Sequence, residues 1–412
     1  MTVEMPKTTR PLFPMKMRWN VEEGKKANIY TWFKPIESEL PEGWVVSEGK
    51  KMLMLGGYSY LGLNKHKEIT QAAKEAIDLF GTGMSGSRLL AGTTTEHTRL
   101  EHMIATLHQK EAAMVLSSGY LTNVSTIACL LGKDDYIISD KLNHASIMDG
   151  ARYANAKLIR YKHNDINHLE QILGRLPANT RKLVITDTVF SMSGEVANMP
   201  AIIKACKAHD AILMVDESHS MFVLGETGGG IVEYFDLNPD DIDIVMSTLS
   251  KAIPASGGYI AANKKIIEYL RHESRGFIYS GATSITSITA AIKSLEVFEQ
   301  EGKSLVKKLH ANTTVFSKAL KKHGIDIGES KTSIIPIQIG EIIDAAVAAK
   351  KCQDEGLYIH AVVAPVVPPG KSILRASITA AHTQEDLLMA SHKIAHIIQE
   401  VKAQNGAISV SS

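Results

Sequence analysis

The chain has 412 residues, 44% of them hydrophobic and 22% charged, with 45 Lys and Arg against 44 Asp and Glu. A net charge of +1 gives no electrostatic footprint for nucleic acid or an anionic membrane surface, and the length exceeds a single compact core. Cys129, Cys206 and Cys352 are widely spaced without a CxxC pair, which excludes a disulfide framework and reads as reduced core residues of a cytoplasmic protein.

Residues 1–20 carry Lys7, Arg10, Lys16 and Arg18 but no apolar run, so they do not read as a signal peptide. Pro6, Pro11 and Pro14 interrupt any amphipathic helix of the transit-peptide kind. No apolar stretch approaches the ~18–20 residues that span a bilayer, so no integral membrane segment is expected. From residue 52 to 292, short apolar runs alternate with helical periods, the mark of βαβ units around a mostly parallel sheet. The pattern predicts strands at 112–117, 135–139, 182–187, 211–216, 242–247 and 257–262. Helices are predicted near 66–80, 95–109, 120–131, 145–153, 199–208 and 283–300. After Gly302 longer helices follow, at 305–323, 342–355 and 384–402, with strands between them. Thr383 is placed to cap the last, with Asp386 three residues on and Leu387, Ser391, Ile394 and Ile398 as its inner stripe. The tail from 403 reads as frayed. The expected organisation is an N-terminal arm (1–55), a large domain (56–298) and a smaller α+β C-terminal domain (299–412).

Chemistry concentrates at predicted strand ends. Lys251 stands in Ser247-Thr248-Leu249-Ser250-Lys251, just past the apolar run 242–246, and Asp216 ends the run Ala211–Val215. A lysine and an aspartate presented from one α/β sheet suit pyridoxal 5'-phosphate (PLP). The amine forms a Schiff base, and the carboxylate keeps the pyridinium nitrogen protonated so that the ring accepts electrons. The hydroxyls of Thr248 and Ser250 stand ready for a phosphate. Ser118-Gly119-Tyr120 opens a helix after Met114-Val115-Leu116, as a phosphate cradle or as a plain capped turn. His144 lies beyond the strand at 135–139, where an imidazole either stacks on a flat cofactor or serves the structure. His219, three residues after Asp216, can be brought by the same loop to the ring hydroxyl or to the Schiff base, and Ser191 is a further donor to the ring. Arg375, inside Ile373–Ile378, needs an anionic partner: a substrate carboxylate or a structural acid.

Gly81-Thr82-Gly83-Met84-Ser85-Gly86 matches GxGxxG, but a helix precedes it where a dinucleotide fingerprint needs a strand. The glycines instead suit close approach to a ligand or a neighbouring subunit. No HExxH, paired Cys/His spacing or GxSxG elbow supports metal or serine-hydrolase chemistry.

The ordered series resembles the α-oxoamine synthases, PLP enzymes of fold type I that include serine palmitoyltransferase and 8-amino-7-oxononanoate synthase. It runs from Tyr60-Leu61-Gly62-Leu63 through Gly81–Gly83, Ser87-Arg88-Leu89, Ser118-Gly119-Tyr120 with Asn123, and Asn143-His144-Ala145-Ser146. Val189–Gly194, Asp216-Glu217-Ser218-His219, Thr248-Leu249-Ser250-Lys251, Gly257-Gly258-Tyr259 and Ala381-His382-Thr383 complete it. The resemblance implies an aspartate-aminotransferase-like fold with Lys251 as the Schiff-base lysine, Asp216 on the pyridine nitrogen, and His144 stacked on the ring. It places His219 and Ser191 near the ring, and Ser118, Gly119, Tyr120, Thr248, Ser250 and Ser280 on the cofactor, Ser280 reaching the partner's phosphate. Arg375, with Ser59, Tyr60 and Arg88, is implied at the substrate. Such enzymes are homodimers with shared sites that condense a small amino acid (serine, glycine or alanine) with an acyl thioester, on coenzyme A or an acyl carrier protein. Loss of CO₂ gives an α-amino ketone. The rivals are another fold-type-I enzyme, such as an aminotransferase or lyase, and a non-catalytic partner subunit.

Several positions depart from the family pattern. Ser59 replaces an asparagine, Phe222 a glycine, Gly281 part of a Ser-Thr-x-x-Pro-Pro segment, and Val363 an arginine. The bulk of Phe222 suggests a specialised acyl donor.

Overall fold

The computed structural model describes residues 21–409, so the expectations for residues 1–20 and 410–412 lie outside the described residues. Three N-terminal strands, β1 (Ile36–Glu39), β2 (Trp44–Ser47) and β3 (Lys50–Met54), precede the central sheet. That sheet comprises β4 (Ala112–Leu116), β5 (Tyr136–Asp140), β6 (Lys157–Tyr161), β7 (Lys182–Asp187), β8 (Ile212–Asp216), β9 (Ile244–Thr248) and β10 (Gly258–Ala262). The C-terminal strands are β11 (Ile334–Gly340), β12 (Leu357–Tyr358), β13 (His360–Val362) and β14 (Ser372–Ser377).

The central sheet runs β4-β10-β9-β8-β7-β5-β6, and only β10 opposes its neighbours. Helices cover both faces, which explains the unbroken apolar runs: β7, β9 and β10 are buried at every position. Alternate side chains feed two cores. Val184, Leu213 and Val245 point to one, and Leu183, Ile185, Met214 and Met246 to the other. The edge strand β6 has no sequence prediction because Lys157, Leu158 and Arg160 are exposed and leave no apolar run.

The two helices expected at 283–300 and 305–323 are one helix, Ile285–Lys322, of 38 residues. Gly302 is a packing glycine rather than a break: a Cβ there would lie 2.7 Å from the Phe298 ring. The expected junction at 298/299 therefore falls inside a continuous helix, which joins the large sheet to the C-terminal core. That core packs β11, β14 and β13 against the helices Ile342–Asp354 and Gln384–Ser409. The last helix runs past 402 to 409, so its end is not frayed at 403. Thr383 caps it as expected, accepting from Asp386 N at 3.1 Å, and Leu387, Ser391, Ile394 and Ile398 are buried. The arm is tied to this C-terminal part, because β3 pairs with β12 in a four-stranded sheet. Among the described residues no helix is long and apolar enough to cross a membrane.

Candidate active site

Because β4, β5, β7, β8 and β9 run in one direction, their C-terminal ends open on one edge of the sheet, where α/β proteins bind ligands. Strand β8 delivers Asp216 and β9 delivers Thr248, with Lys251 three residues beyond. Burial lowers the Lys251 amine to about 8, while Asp216 and then Asp187 draw it back up and Arg375 depresses it further. Its Nζ stands 6.0 Å from the centroid of the Tyr58 ring.

Asp216 is anchored through both oxygens. Its Oδ1 accepts from Ser218 N at 2.9 Å and its Oδ2 from the Asn123 amide at 2.8 Å. The same amide donates to Ser146 Oγ at 3.0 Å, and Ser146 Oγ lies 2.7 Å from His144 Nδ1. Ser146 N also donates to that nitrogen, at 3.3 Å, so His144 caps the helix Ala145–Ala154. The protein packed around it lowers the His144 pKa, with Asp216 opposing, yet the residue remains open to solvent. An open imidazole beside an anchored carboxylate fits a flat heteroaromatic cofactor.

Asp187 is a feature that sequence reasoning missed. It is the register partner of Asp216 across β7 and β8. Its Oδ2 accepts from His144 N at 3.1 Å, while its buried Oδ1 has no partner. Burial, and then the charge of Asp216, push its pKa well above the carboxylate range. The signal was an acid ending the buried run Leu183-Val184-Ile185-Thr186 in the strand next to Asp216.

The phosphate end of the site fits as well. Ser118 caps the helix Gly119–Leu130 by accepting from Leu121 N at 3.1 Å. A Cβ on Gly119 would sit 3.0 Å from Thr248 Oγ1, so glycine lets the end of β9 close on the helix N-terminus. Thr248 Oγ1 lies 2.8 Å from Ser250 Oγ. Tyr120 is half exposed, hydrogen-bonded to Asp149, and edge-on to His144 at 6.4 Å.

Arg375, on β14, is buried and only partly satisfied. Its Nε donates to Ser191 O at 2.6 Å and its Nη1 to Ser377 Oγ at 2.7 Å, while buried Nη2 has no partner. Tyr58, also missed, is shared by both cations, with the Arg375 guanidinium 5.0 Å and the Lys251 amine 6.0 Å from its ring centroid. His219 is buried, with Nδ1 bound to the Tyr60 hydroxyl.

Other expected residues are placed differently. Arg88 is held in a buried ion pair: its Nη1 donates to Glu101 at 2.8 Å, both groups are buried, and Phe277 covers the guanidinium. Tyr60 is fully buried and holds His219 rather than lining an opening. Ser191 touches Arg375 through its carbonyl oxygen. Ser59 donates to Asn64 Oδ1 at 3.0 Å. Ser280 lies apart from Lys251, in a surface cavity of about 570 Å³ that it shares with residues 84–87. The GxGxxG segment follows the helix Lys67–Phe80, as its context predicted, and leads to a bridge between Ser87 and Gly281.

The expectation for Phe222 is overturned. Its backbone is left-handed, with φ +65°, which explains why a glycine suits the position, and its ring packs 4.7 Å from that of Phe298 in the core. It therefore does not narrow the cleft. Val363 is likewise buried in the C-terminal core.

Among the described residues no cluster suited to a metal ion occurs. The model of the family "Aminotransferase class I and II" matches residues 50–394. The serine palmitoyltransferase of Sphingobacterium spiritivorum is 37% identical over 93% of this chain and 96% of its own length. The 8-amino-7-oxononanoate synthase of Thermoanaerobacter pseudethanolicus is 40% identical over 89% and 92%. Among solved structures, a serine palmitoyltransferase of S. paucimobilis with a bound PLP–myriocin aldimine superposes with a TM-score of 0.90 at 30% identity, over 93% and 96%. A match of this extent places the chain in the class I and II aminotransferase family and, within it, among the PLP-dependent α-oxoamine synthases.

Proposed function

We propose that the protein condenses a small amino acid (serine, glycine or alanine) with an acyl thioester carried by coenzyme A or an acyl carrier protein. A carbon–carbon bond forms between the amino acid's α-carbon and the acyl carbonyl carbon, thiol and CO₂ leave, and an α-amino ketone results. The observation that carries this reading is the enclosed Lys251 amine between the Asp216–Asp187 pair and the half-satisfied guanidinium of Arg375. PLP, when bound, supplies the electron sink for the α-carbon. Asp216 would face its ring nitrogen, His144 its flat side, and Ser118, Gly119, Tyr120, Thr248 and Ser250 its phosphate.

This chain's groups divide the remaining work. Arg375 offers its unpaired Nη2 to the amino acid's carboxylate, and the Tyr58 ring stands beside both Arg375 and Lys251. Lys251, whose amine burial lowers toward neutrality, takes the α-proton and later returns one. His219 directs a donor toward the ring hydroxyl. The relatives' name, serine palmitoyltransferase, supports an amino acid and an acyl donor as substrates.

We also propose a cytoplasmic homodimer. Ser280 and residues 84–87 line a cavity whose walls do not include Lys251, and Leu90 and Tyr279 in that lining are 81% and 74% exposed. A second copy covering this face would bring Ser280 to the partner's phosphate. An arm (1–55), a large cofactor domain (56–298) and a small domain (299–412) are proposed as well, the last two sharing the continuous helix Ile285–Lys322 across their junction.

The test uses purified holoenzyme. An absorbance near roughly 420 nm, lost in Lys251→Ala, is expected for the lysine-bound cofactor. Thiol and CO₂ release should then require both an amino acid and an acyl thioester. Turnover of the amino acid alone would favour an aminotransferase or lyase.

A further inference from the structure

Two helices that start at the strand ends are pressed together at one glycine. A Cβ on Gly150 would lie 3.0 Å from Ile127 Cβ and 3.2 Å from Asn123 O, so glycine lets the helix Ala145–Ala154 close on the helix Gly119–Leu130. Ser146 stands one turn before Gly150, and Asn123 one turn before Ile127, on the same packed faces. Both side chains are buried, so each proton between them needs an acceptor within the protein.

The directions of those protons follow from the partners. The Asn123 amide nitrogen lies 2.8 Å from Asp216 Oδ2 and 3.0 Å from Ser146 Oγ. Turning the amide over would set its oxygen against the Asp216 carboxylate, so the nitrogen faces both partners and donates a hydrogen to each. These two donations set the orientation even though Asn123 Oδ1 is then buried without a partner. Ser146 Oγ already accepts, and among the described residues its own proton finds an acceptor at His144 Nδ1, 2.7 Å away. Ser146 N donates to the same nitrogen at 3.3 Å. Two donors converge on Nδ1 and leave no place for a proton there.

The rest of the His144 surroundings are fixed as well. Asp187 Oδ2 accepts from His144 N at 3.1 Å. The charges that act on the imidazole are Asp216 on β8, Lys251 beyond β9 and Asp149 on its own helix, and the Tyr120 ring meets it edge-on. Among the described residues Nε2 has no hydrogen-bond partner, and the side chain is open to solvent.

We infer that Asn123 and Ser146 are positioning residues that hold the His144 imidazole neutral, with its proton on Nε2 as a donor to an oxygen of the bound ligand. One buried amide thus anchors Asp216 and, through Ser146, sets the proton on the imidazole. A ring laid on a flat cofactor keeps its N–H in its own plane, so stacking and donation do not compete. The inference rests on the proposed function for the ligand, an amino acid or acyl donor, and on the fold alone for the proton.

The experiment reads that proton. In holoenzyme and apoprotein carrying ¹⁵N-labelled histidine, the His144 signal, assigned by its loss in His144→Gln, should show one tautomer with hydrogen on Nε2. In Ser146→Ala, Nδ1 keeps just the longer backbone contact. The preference for Nε2–H should fall by up to roughly tenfold, and the His144 titration midpoint should rise by about one pH unit. The sign follows because the lost bond stabilises the neutral ring alone. Asn123→Ala, which frees the Ser146 hydroxyl to turn, should move both quantities the same way by a smaller factor. A role in packing alone would move neither. A wild-type signal with hydrogen on Nδ1 overturns the inference without any variant, and so do an unmoved tautomer and midpoint in Ser146→Ala. Failure to condense any amino acid with a thioester would leave these signals in force, and would count against the reaction instead.

Discussion

The Tyr60 hydroxyl lies 2.7 Å from His219 Nδ1, and both side chains are buried. Burial drives the Tyr60 pKa up to about 12, against which the neighbouring Arg375 charge pulls. That charge favours the phenol oxygen turning its lone pairs toward the guanidinium, so the phenol proton points at Nδ1. Burial, followed by the Lys251 and Arg375 charges, keeps His219 neutral. A neutral imidazole accepting at Nδ1 carries its proton on Nε2. Tyr60 thus fixes His219 as a donor on its other nitrogen.

Tyr60→Phe removes that acceptor bond and leaves Nδ1 unsatisfied at about 1–3 kcal/mol. The ¹⁵N shifts of His219 should change from a pure Nε2–H tautomer to a mixture, and the pH profile of cofactor absorbance should shift. An unchanged tautomer would show that Tyr60 only fills space.

Lys251 predicts a pH dependence of known sign. Burial depresses its amine from 10.5 in the unfolded chain to about 8 in the fold. Between those values the unfolded chain binds more protons, so this group makes apoprotein stability rise with pH across that window. Capture of an aldehyde by the apoprotein should accelerate through pH 8. A midpoint near 10 would mean that the amine is solvated.

Much of this site was legible because strands buried on both faces read as plain apolar runs, and the residues just past them carry the chemistry. Lys251, Asp216, Thr248 and Ser118 announce themselves in this way. Asp187 does not, because its meaning depends on register: only the β7–β8 pairing sets it beside Asp216. Tyr58 owes its place to Arg375 from a distant strand, a contact no local pattern encodes. Nor does any local pattern encode the pairing of the Arg88 guanidinium with the buried acid Glu101. Gly302 misled for a related reason, since a glycine required by a neighbouring ring looks like a helix end.

Arg375→Lys keeps the charge and loses the planar fork. The substituted amine cannot hold Ser191 O and Ser377 Oγ while also presenting a free N–H. The amino acid's KM should rise roughly 10- to 100-fold, in line with the loss of a charged hydrogen bond, while cofactor absorbance without substrate stays the same. An unaltered KM would show that the carboxylate is bound elsewhere.

His163 predicts a structural pH dependence separate from catalysis. Its Nδ1 is 2.9 Å from Asp140 and its Nε2 is 3.2 Å from Glu195, with Phe190 edge-on at 4.3 Å. Burial alone would lower its pKa, but hydrogen bonds to Asp140 and Glu195 raise it to about 9. The folded value exceeds the unfolded 6.5, so its stabilisation is complete below pH 6.5 and lost as pH rises through 9. Denaturant unfolding of the wild type should therefore weaken by on the order of 2 kcal/mol between pH 6.5 and 9. His163→Gln, which has no titrating ring, should be weaker at pH 6.5 and flatter across the interval. Parallel curves for the two proteins would show that His163 stays neutral between its acids.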